Sequence, residues 1–170
     1  MWKNRKYLQA MGEQRIAFIT DSNLGKLAKW LRILGYDTTF YRGNIDRSFL
    51  KMADKERRVA LTRKKDMSQR QFSGKLIIIQ QDRVENQLAE VFNNLSIIPE
   101  PNQILTICLT CNEKLKAVSS EEISGVVPDY VFGRHTRFHL CPRCGGIFWP
   151  GTHKENMDRL LKTRIQRRHP

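Results

Sequence analysis

"FITDSNLGKLAKWLRILGYD", residues 18–37, sets one aspartate between an apolar run and a stretch crowded with lysine and arginine. Residues 16–20, Ile-Ala-Phe-Ile-Thr, have the short, continuous apolar character of a buried strand. Beyond Asp21, the residues Leu24, Leu27, Ala28, Leu31 and Leu34 recur at helical spacing, which predicts an amphipathic helix packed on a sheet. Lys26, Lys29 and Arg32 fall off that apolar face and are expected to stay in water, where they can meet phosphates. Ser22 or Asn23 is expected to cap the helix, and Gly35 suits a left-handed stop. The carboxylate at this junction has two readings. Asp21 is a helix cap, or it holds a metal ion over a phosphate.

The alternation continues downstream. Residues 36–41, 59–62 and 75–80 read as further short strands. Asp46 can cap a helix with Phe49, Leu50 and Ala53 facing inward, and Asp82 with Glu85 can cap another whose stripe is Val84, Leu88, Val91, Phe92 and Leu95. Strands alternating with amphipathic helices predict an α/β domain with a largely parallel sheet. "SIIPEPNQ", 96–103, breaks the pattern with two prolines, and a boundary is expected near residue 100. Beyond it come cysteine pairs, glycines and short β-like pieces, then a basic helix from about residue 153.

Thirty Lys+Arg against 17 Asp+Glu give a net charge of +13. The excess is +8 over residues 1–100 and +5 over 101–170, so it is no local tail. A field of that sign attracts polyanions, nucleic acid above all. The density around Lys55, Arg57, Arg58, Arg63, Lys64 and Lys65 fits phosphate contact, or simply a solvated basic face. Forty per cent apolar residues suffice for a core, while a mean hydropathy of -0.52 implies a generous polar surface. No apolar run reaches the roughly 18 residues a membrane span needs. The opening "MWKNRKYLQAMGEQR" lacks the apolar segment of a secretory signal, so a cytoplasmic protein is expected.

Cys108-Leu-Thr-Cys111 and Cys141-Pro-Arg-Cys144 stand 29 residues apart, with no cysteine left over. Two C-x-x-C turns each present a thiolate pair from one tight loop, and together they make a tetrahedral site for structural Zn²⁺. Four thiolates saturate zinc, so His135, His139 and His153 are expected to lie outside the coordination sphere.

Asp21, Asp46, Asp66 and Asp82 each sit at or near a junction between expected elements. In a parallel sheet such junctions gather at the strands' carboxyl edge, where ligands bind. Carboxylates collected there repel one another unless a divalent ion relieves them. Mg²⁺ or Mn²⁺ held by a few carboxylates and waters can activate a hydroxide for attack on phosphorus. Against this, aspartate is a preferred N-cap, and each of the four can serve as one.

"DSNLGKLAKWLRILGYDT", then "DRSFLKMADKERRVALTR", then the cysteine pairs ending in "CPRCGGIFWPGTHKENM", resemble the Mut-seven C-terminal RNase domain family from about Phe18 to Met157. The resemblance implies a PIN-like nuclease domain over 15–100, a zinc ribbon over 101–157 and a basic helix or tail over 158–170. It implies RNA as the partner and places site acids at Asp21 and Asp46. Where the family writes Thr-Arg-Asp after the third strand, this chain reads Thr62-Arg63-Lys64, with its aspartate at Asp66. Either Asp66 reaches back into the site or the lysine weakens it. The catalytic candidates are therefore Asp21, Asp46 and Asp66, and the RNA-binding candidates Lys26, Lys29, Arg32, Arg63 and Lys64. A metal-dependent ribonuclease is the first reading, and a non-catalytic RNA-binding or ribosome-associated protein the second. A DNA-binding zinc-ribbon regulator ranks last, since no recognition helix of known type is present.

Overall fold

A computed structural model describes residues 15–150 of the chain. These fall into two units, residues 15–31 with 36–98, and residues 32–35 with 99–150. The basic stretch from about residue 153, His153 included, lies outside the described residues.

The first unit is built on four parallel strands, β1 (Phe18–Thr20), β2 (Thr38–Phe40), β3 (Val59–Thr62) and β4 (Leu76–Ile78), in the order β2-β1-β3-β4. Every residue of the two central strands is buried, which is why they carry no polar alternation. The helices are α1 (Gly25–Ile33), α2 (Arg47–Lys55) and α3 (Val84–Leu95). Phe49, Leu50 and Ala53 of α2 pack with Ile19, Ala60 and Met67 against one face of the sheet. Strand alternation turns Phe18 to the other face. There it meets Tyr36 edge-on at 5.4 Å, and Tyr36 in turn lies 5.9 Å from Phe92 of α3. The chain runs from β1 outward to β2, then returns past β1 to β3, so the strand order reverses between β1 and β3. That reversal is the position at which open parallel sheets bind ligands.

Three local expectations need correction. Asp21 itself caps the turn Ser22–Leu24 that leads into α1, accepting from Asn23 N at 2.8 Å; neither Ser22 nor Asn23 is the cap. α3 starts after Arg83 without a side-chain cap, and the Asp82 carboxylate is turned to Arg63 instead, at 2.6 Å. Arg58 is no free phosphate ligand: its guanidinium grips both oxygens of Asp37, at 2.6 and 3.1 Å, and reaches the Phe18 carbonyl.

The second unit holds an antiparallel sheet of β5 (Lys116–Val118), β6 (Phe138–Leu140) and β7 (Ile147–Phe148). Its small core is Ile123, Val127, Val131 and Phe138, with Val131 supplied by the single-turn helix α4 (Asp129–Phe132). Gly35 belongs here too, at φ +83° as its stop position requires. A Cβ at Gly35 would fall 2.3 Å from the Gln103 carbonyl, so no other residue fits.

Arg32 overturns the expectation of a solvated phosphate ligand. It is 7 % exposed, and its guanidinium donates to the carbonyls of Leu109 and Thr110 at 2.7 and 3.2 Å. Both acceptors lie inside the first C-x-x-C loop. Two carbonyls that a tight loop turns away from its own amides need a partner, and a planar fork of donors supplies both at once.

Candidate metal centre and sheet-edge site

The two cysteine loops repeat one hydrogen-bond pattern. In the first, Asn112 N donates to Cys108 O at 3.0 Å and Cys108 N to Glu113 O at 2.8 Å. In the second, Gly145 N donates to Cys141 O at 3.0 Å and Cys141 N to Gly146 O at 2.9 Å. Each loop closes on a left-handed residue directly after its second cysteine, Asn112 at φ +62° and Gly145 at φ +70°. Glycine tolerates that conformation freely, and asparagine more readily than most side chains. Reading the cysteine spacing alone missed Asn112.

The four sulfurs lie within 4.8 Å of one another, with Cys108 and Cys144 at 3.8 Å. A tetrahedron with Zn–S bonds of about 2.3 Å has edges of about 3.8 Å, so the set fits zinc in donor type, number and spacing. Backbone amides already point at the sulfurs, as Cys111 N does at Cys108 Sγ, 3.4 Å away. Burial pushes the Cys108 thiol up, and the hydrogen bond to Cys144 pushes Cys111 up to about 12. Burial acts the same way on Cys141, but the amides of Cys144 and Arg143 outweigh it and bring that thiol to about 7. Cys108, Cys111, Cys141 and Cys144 would hold the ion as thiolates, and a bound zinc would tie the two loops together. His135 and His139 are outside this cluster.

At the sheet's carboxyl edge, Asp21 ends β1 and is fully buried. Its Oδ2 accepts from Thr62 Oγ1 at 2.6 Å and Arg63 N at 3.0 Å, while Oδ1 holds the Asn23 amide. The carboxylate therefore ties the ends of β1 and β3 together at the point where the strand order reverses. Three of its roughly four acceptor positions are used. Asp46 is half-buried and caps α2 through Ser48 N at 2.7 Å. Asp66 is exposed, 3.7 Å from Lys64 Nζ and 3.9 Å from Arg70. Lys64 Nζ also donates to the Ile45 carbonyl at 2.9 Å, next to Asp46 in the chain. A lysine ammonium thus links the loop before α2 to the turn after β3.

Among the described residues, the cysteines are the one set of three or more His, Cys, Asp and Glu side chains close enough to share a metal ion. The acids form no cage on their own. Beside them opens a groove of about 810 Å³, lined among others by Asn23, Gly25, Lys26, Arg63, Asp82 and Arg83. Lys26 and Arg63 were expected near phosphate. Arg83 was missed, and its position directly after Asp82 at a helix start was the available signal. Lys29 is exposed, on α1.

No helix of the described residues is long and apolar enough to cross a membrane. No curated protein and no solved structure matches the chain. The sequence model of the Mut7-C RNAse domain matches residues 16–161. With that match covering most of its length, the chain belongs to the Mut7-C RNAse domain family.

Proposed function

We propose that this protein is a cytoplasmic ribonuclease that hydrolyses RNA phosphodiester bonds at the carboxyl edge of its parallel sheet. The observation that carries the reading is Asp21, an acid fixed at the strand-order reversal of a chain in an RNase family. In this reading residues 15–100 form a PIN-like domain, and the zinc ribbon of 101–157 helps dock RNA. Lys26, Lys29, Arg63 and Lys64 meet the phosphates; Arg32 is withdrawn from that role by its burial. Mg²⁺ seldom needs an all-protein cage, since one or two carboxylates with substrate phosphates suffice. Asp21, Asp46 and Asp66 are the acids offered to such an ion, which when bound would activate water and neutralise charge on phosphorus.

A specific observation favours a second reading, that of an RNA-binding protein without catalysis. Lys64 Nζ stands within reach of Asp66 and of the Ile45 carbonyl, an ammonium at the acidic edge where a divalent ion would otherwise sit.

Cleavage of labelled single-stranded RNA with Mg²⁺ or Mn²⁺ separates the two. The ribonuclease reading expects cleavage abolished by chelator under conditions that leave zinc bound, and enhanced by Lys64→Asp. Asp66→Asn is damaging only if Asp66 serves in that position. RNA binding without any metal-dependent cleavage, in wild type and in Lys64→Asp alike, would leave the second reading standing.

A further inference from the structure

A second groove, of about 440 Å³, lies wholly within the zinc-bearing unit. Its walls include Leu109, Tyr130, Arg134, His135, Phe148 and Trp149. The volume is in the range of small-ligand sites, roughly 300–1,000 Å³. Tyr130 is 70 % exposed, unusual for so large an aromatic ring outside any binding surface. Trp149 is only partly buried, leaning on the Val131–Phe138 core. The groove's own lining carries Arg134 and His135 and no carboxylate, although Asp129 directly precedes Tyr130 in the chain. Residues 130–149 contain three arginines and two histidines and no aspartate or glutamate. Arg134 and Arg137 are exposed, and Arg143 is too, 3.6 Å from Glu113.

We propose that this groove binds an unpaired base of single-stranded RNA, stacked on Tyr130 and Trp149, with Arg134 on the adjoining phosphate. Aromatic faces interleaved with cations are what sequence-tolerant single-strand binding requires, because every base offers a π-face and every linkage a negative charge. An apolar peptide would use the rings as well, but nothing in it would call for Arg134 in the groove wall. The proposal rests on the RNA reading above and deepens it. It gives the zinc unit its own foothold on the strand, made by stacking rather than by charge alone.

The test uses the full-length, zinc-loaded protein. Fluorescence anisotropy measures the affinity of an unstructured oligouridylate and of a duplex RNA of equal length at one salt concentration. Tyr130→Ala is expected to weaken oligouridylate binding about 5- to 100-fold, as loss of one stacked base does. Duplex affinity should hold within about twofold, and Tyr130→Phe should restore single-strand binding. With 4-thiouridine in the oligomer, ultraviolet crosslinks should map to Tyr130 or Trp149. Unchanged zinc content and circular dichroism establish that the variants fold, and the exposure of Tyr130 makes its truncation mild. Equal losses for both RNAs, or no loss for either, would overturn the stacking site while leaving RNA binding intact. Wild type that binds neither RNA would overturn the RNA reading itself, and the stacking site with it. Displacement of bound oligomer by an apolar peptide but not by mononucleotides would assign the groove to a protein partner and overturn the proposal.

Discussion

The two units hold themselves together by different means. In the first, Phe18, Ile19, Phe49, Leu27, Leu61 and Leu88 are completely buried, and two fully buried strands run through the middle of the sheet. In the second, strands are two or three residues long and the core cluster has four buried members. A core that small cannot offset the entropy of ordering its chain, so a cross-link must make up the difference. The four clustered sulfurs are placed to hold the ion that would supply it. The comparison teaches where substitutions should hurt: the first unit through lost packing, the second through lost metal.

The largest effect follows from breaking the cross-link. Cys141→Ser removes one of four thiolates, and a structural zinc in such a module contributes on the order of 10 kcal/mol of folding free energy. The variant should lose its zinc, measured by elemental analysis, and its 99–150 amides should exchange with solvent as if unfolded. Amides of β1 and β3 should stay protected. Global unfolding of both units together would break the comparison, and so would retention of zinc.

Next in size is the packing of the first unit. Phe49 of α2 is fully buried against Ile19, Ala60 and Met67, with Tyr41 edge-on at 5.4 Å. Phe49→Ala should cost about 3–5 kcal/mol in denaturant unfolding of that unit. Zinc content should be unaffected. A loss under about 1 kcal/mol would mean that the sheet unit is not held by this core.

How much of this was legible in the sequence depends on the range of the interaction. The strands at Phe18, Val59 and Leu76, and the apolar faces of the helices, follow from local periodicity, because burial on a sheet dictates it. The cysteine cluster follows from spacing, because a C-x-x-C loop is itself a local structure. The cap of α2 was read at Asp46 as found, but the cap before α1 was placed one or two positions late, since several adjacent side chains can all reach the same amides. Asp82 was assigned to α3, and only the fold brings Arg63, nineteen residues earlier, within 2.6 Å of it. The same holds for Arg32. Helical spacing set it beside Lys26 and Lys29, but its acceptors are 77 and 78 residues away. The acids were correctly expected at element junctions, yet junction position alone cannot say which carboxylates converge and which are taken up by neighbouring cations.

Arg32 sharpens the comparison at intermediate size. Removing its guanidinium takes the partner from the Leu109 and Thr110 carbonyls, one on a half-buried and one on an exposed residue, so the cost is that of a typical hydrogen bond, about 1 kcal/mol. Arg32→Gln should lower the unfolding free energy of the second unit by that amount and leave RNA affinity near wild type. Arg32→Lys keeps the charge but not the planar fork, and should rescue stability only in part. A role on phosphate gives the opposite pattern: full rescue by lysine, with RNA affinity and its salt dependence reduced in the glutamine variant. Lys26→Ala with Lys29→Ala serves as the control, since both side chains are exposed and should affect binding alone.

The smallest stability effect is also the one that best separates a cap from a metal ligand. Asp21 serves poorly for this purpose. In Asp21→Asn an amide NH₂ placed at Oδ2 would face the Arg63 N–H, donor against donor, so lost cleavage would be mixed with lost stability. Turning the amide over only moves the conflict to Asn23 N. Asp46 has a simpler surrounding, one cap bond to Ser48 N on a half-buried side chain. Asparagine caps helices about as well as aspartate, so Asp46→Asn should shift stability by less than about 0.5 kcal/mol, whereas Asp46→Ala should cost about 1 kcal/mol. If Asp46 only caps, the asparagine variant behaves as wild type in melting and in cleavage. If it also binds the ion, asparagine melts as wild type but loses charge where charge is needed. The ribonuclease reading expects that second pattern, with cleavage falling by at least the roughly 10- to 100-fold that losing even an outer-sphere partner of a metal costs. Wild-type cleavage in Asp46→Asn would return Asp46 to the caps and leave the sheet edge with Asp21 and Asp66 alone.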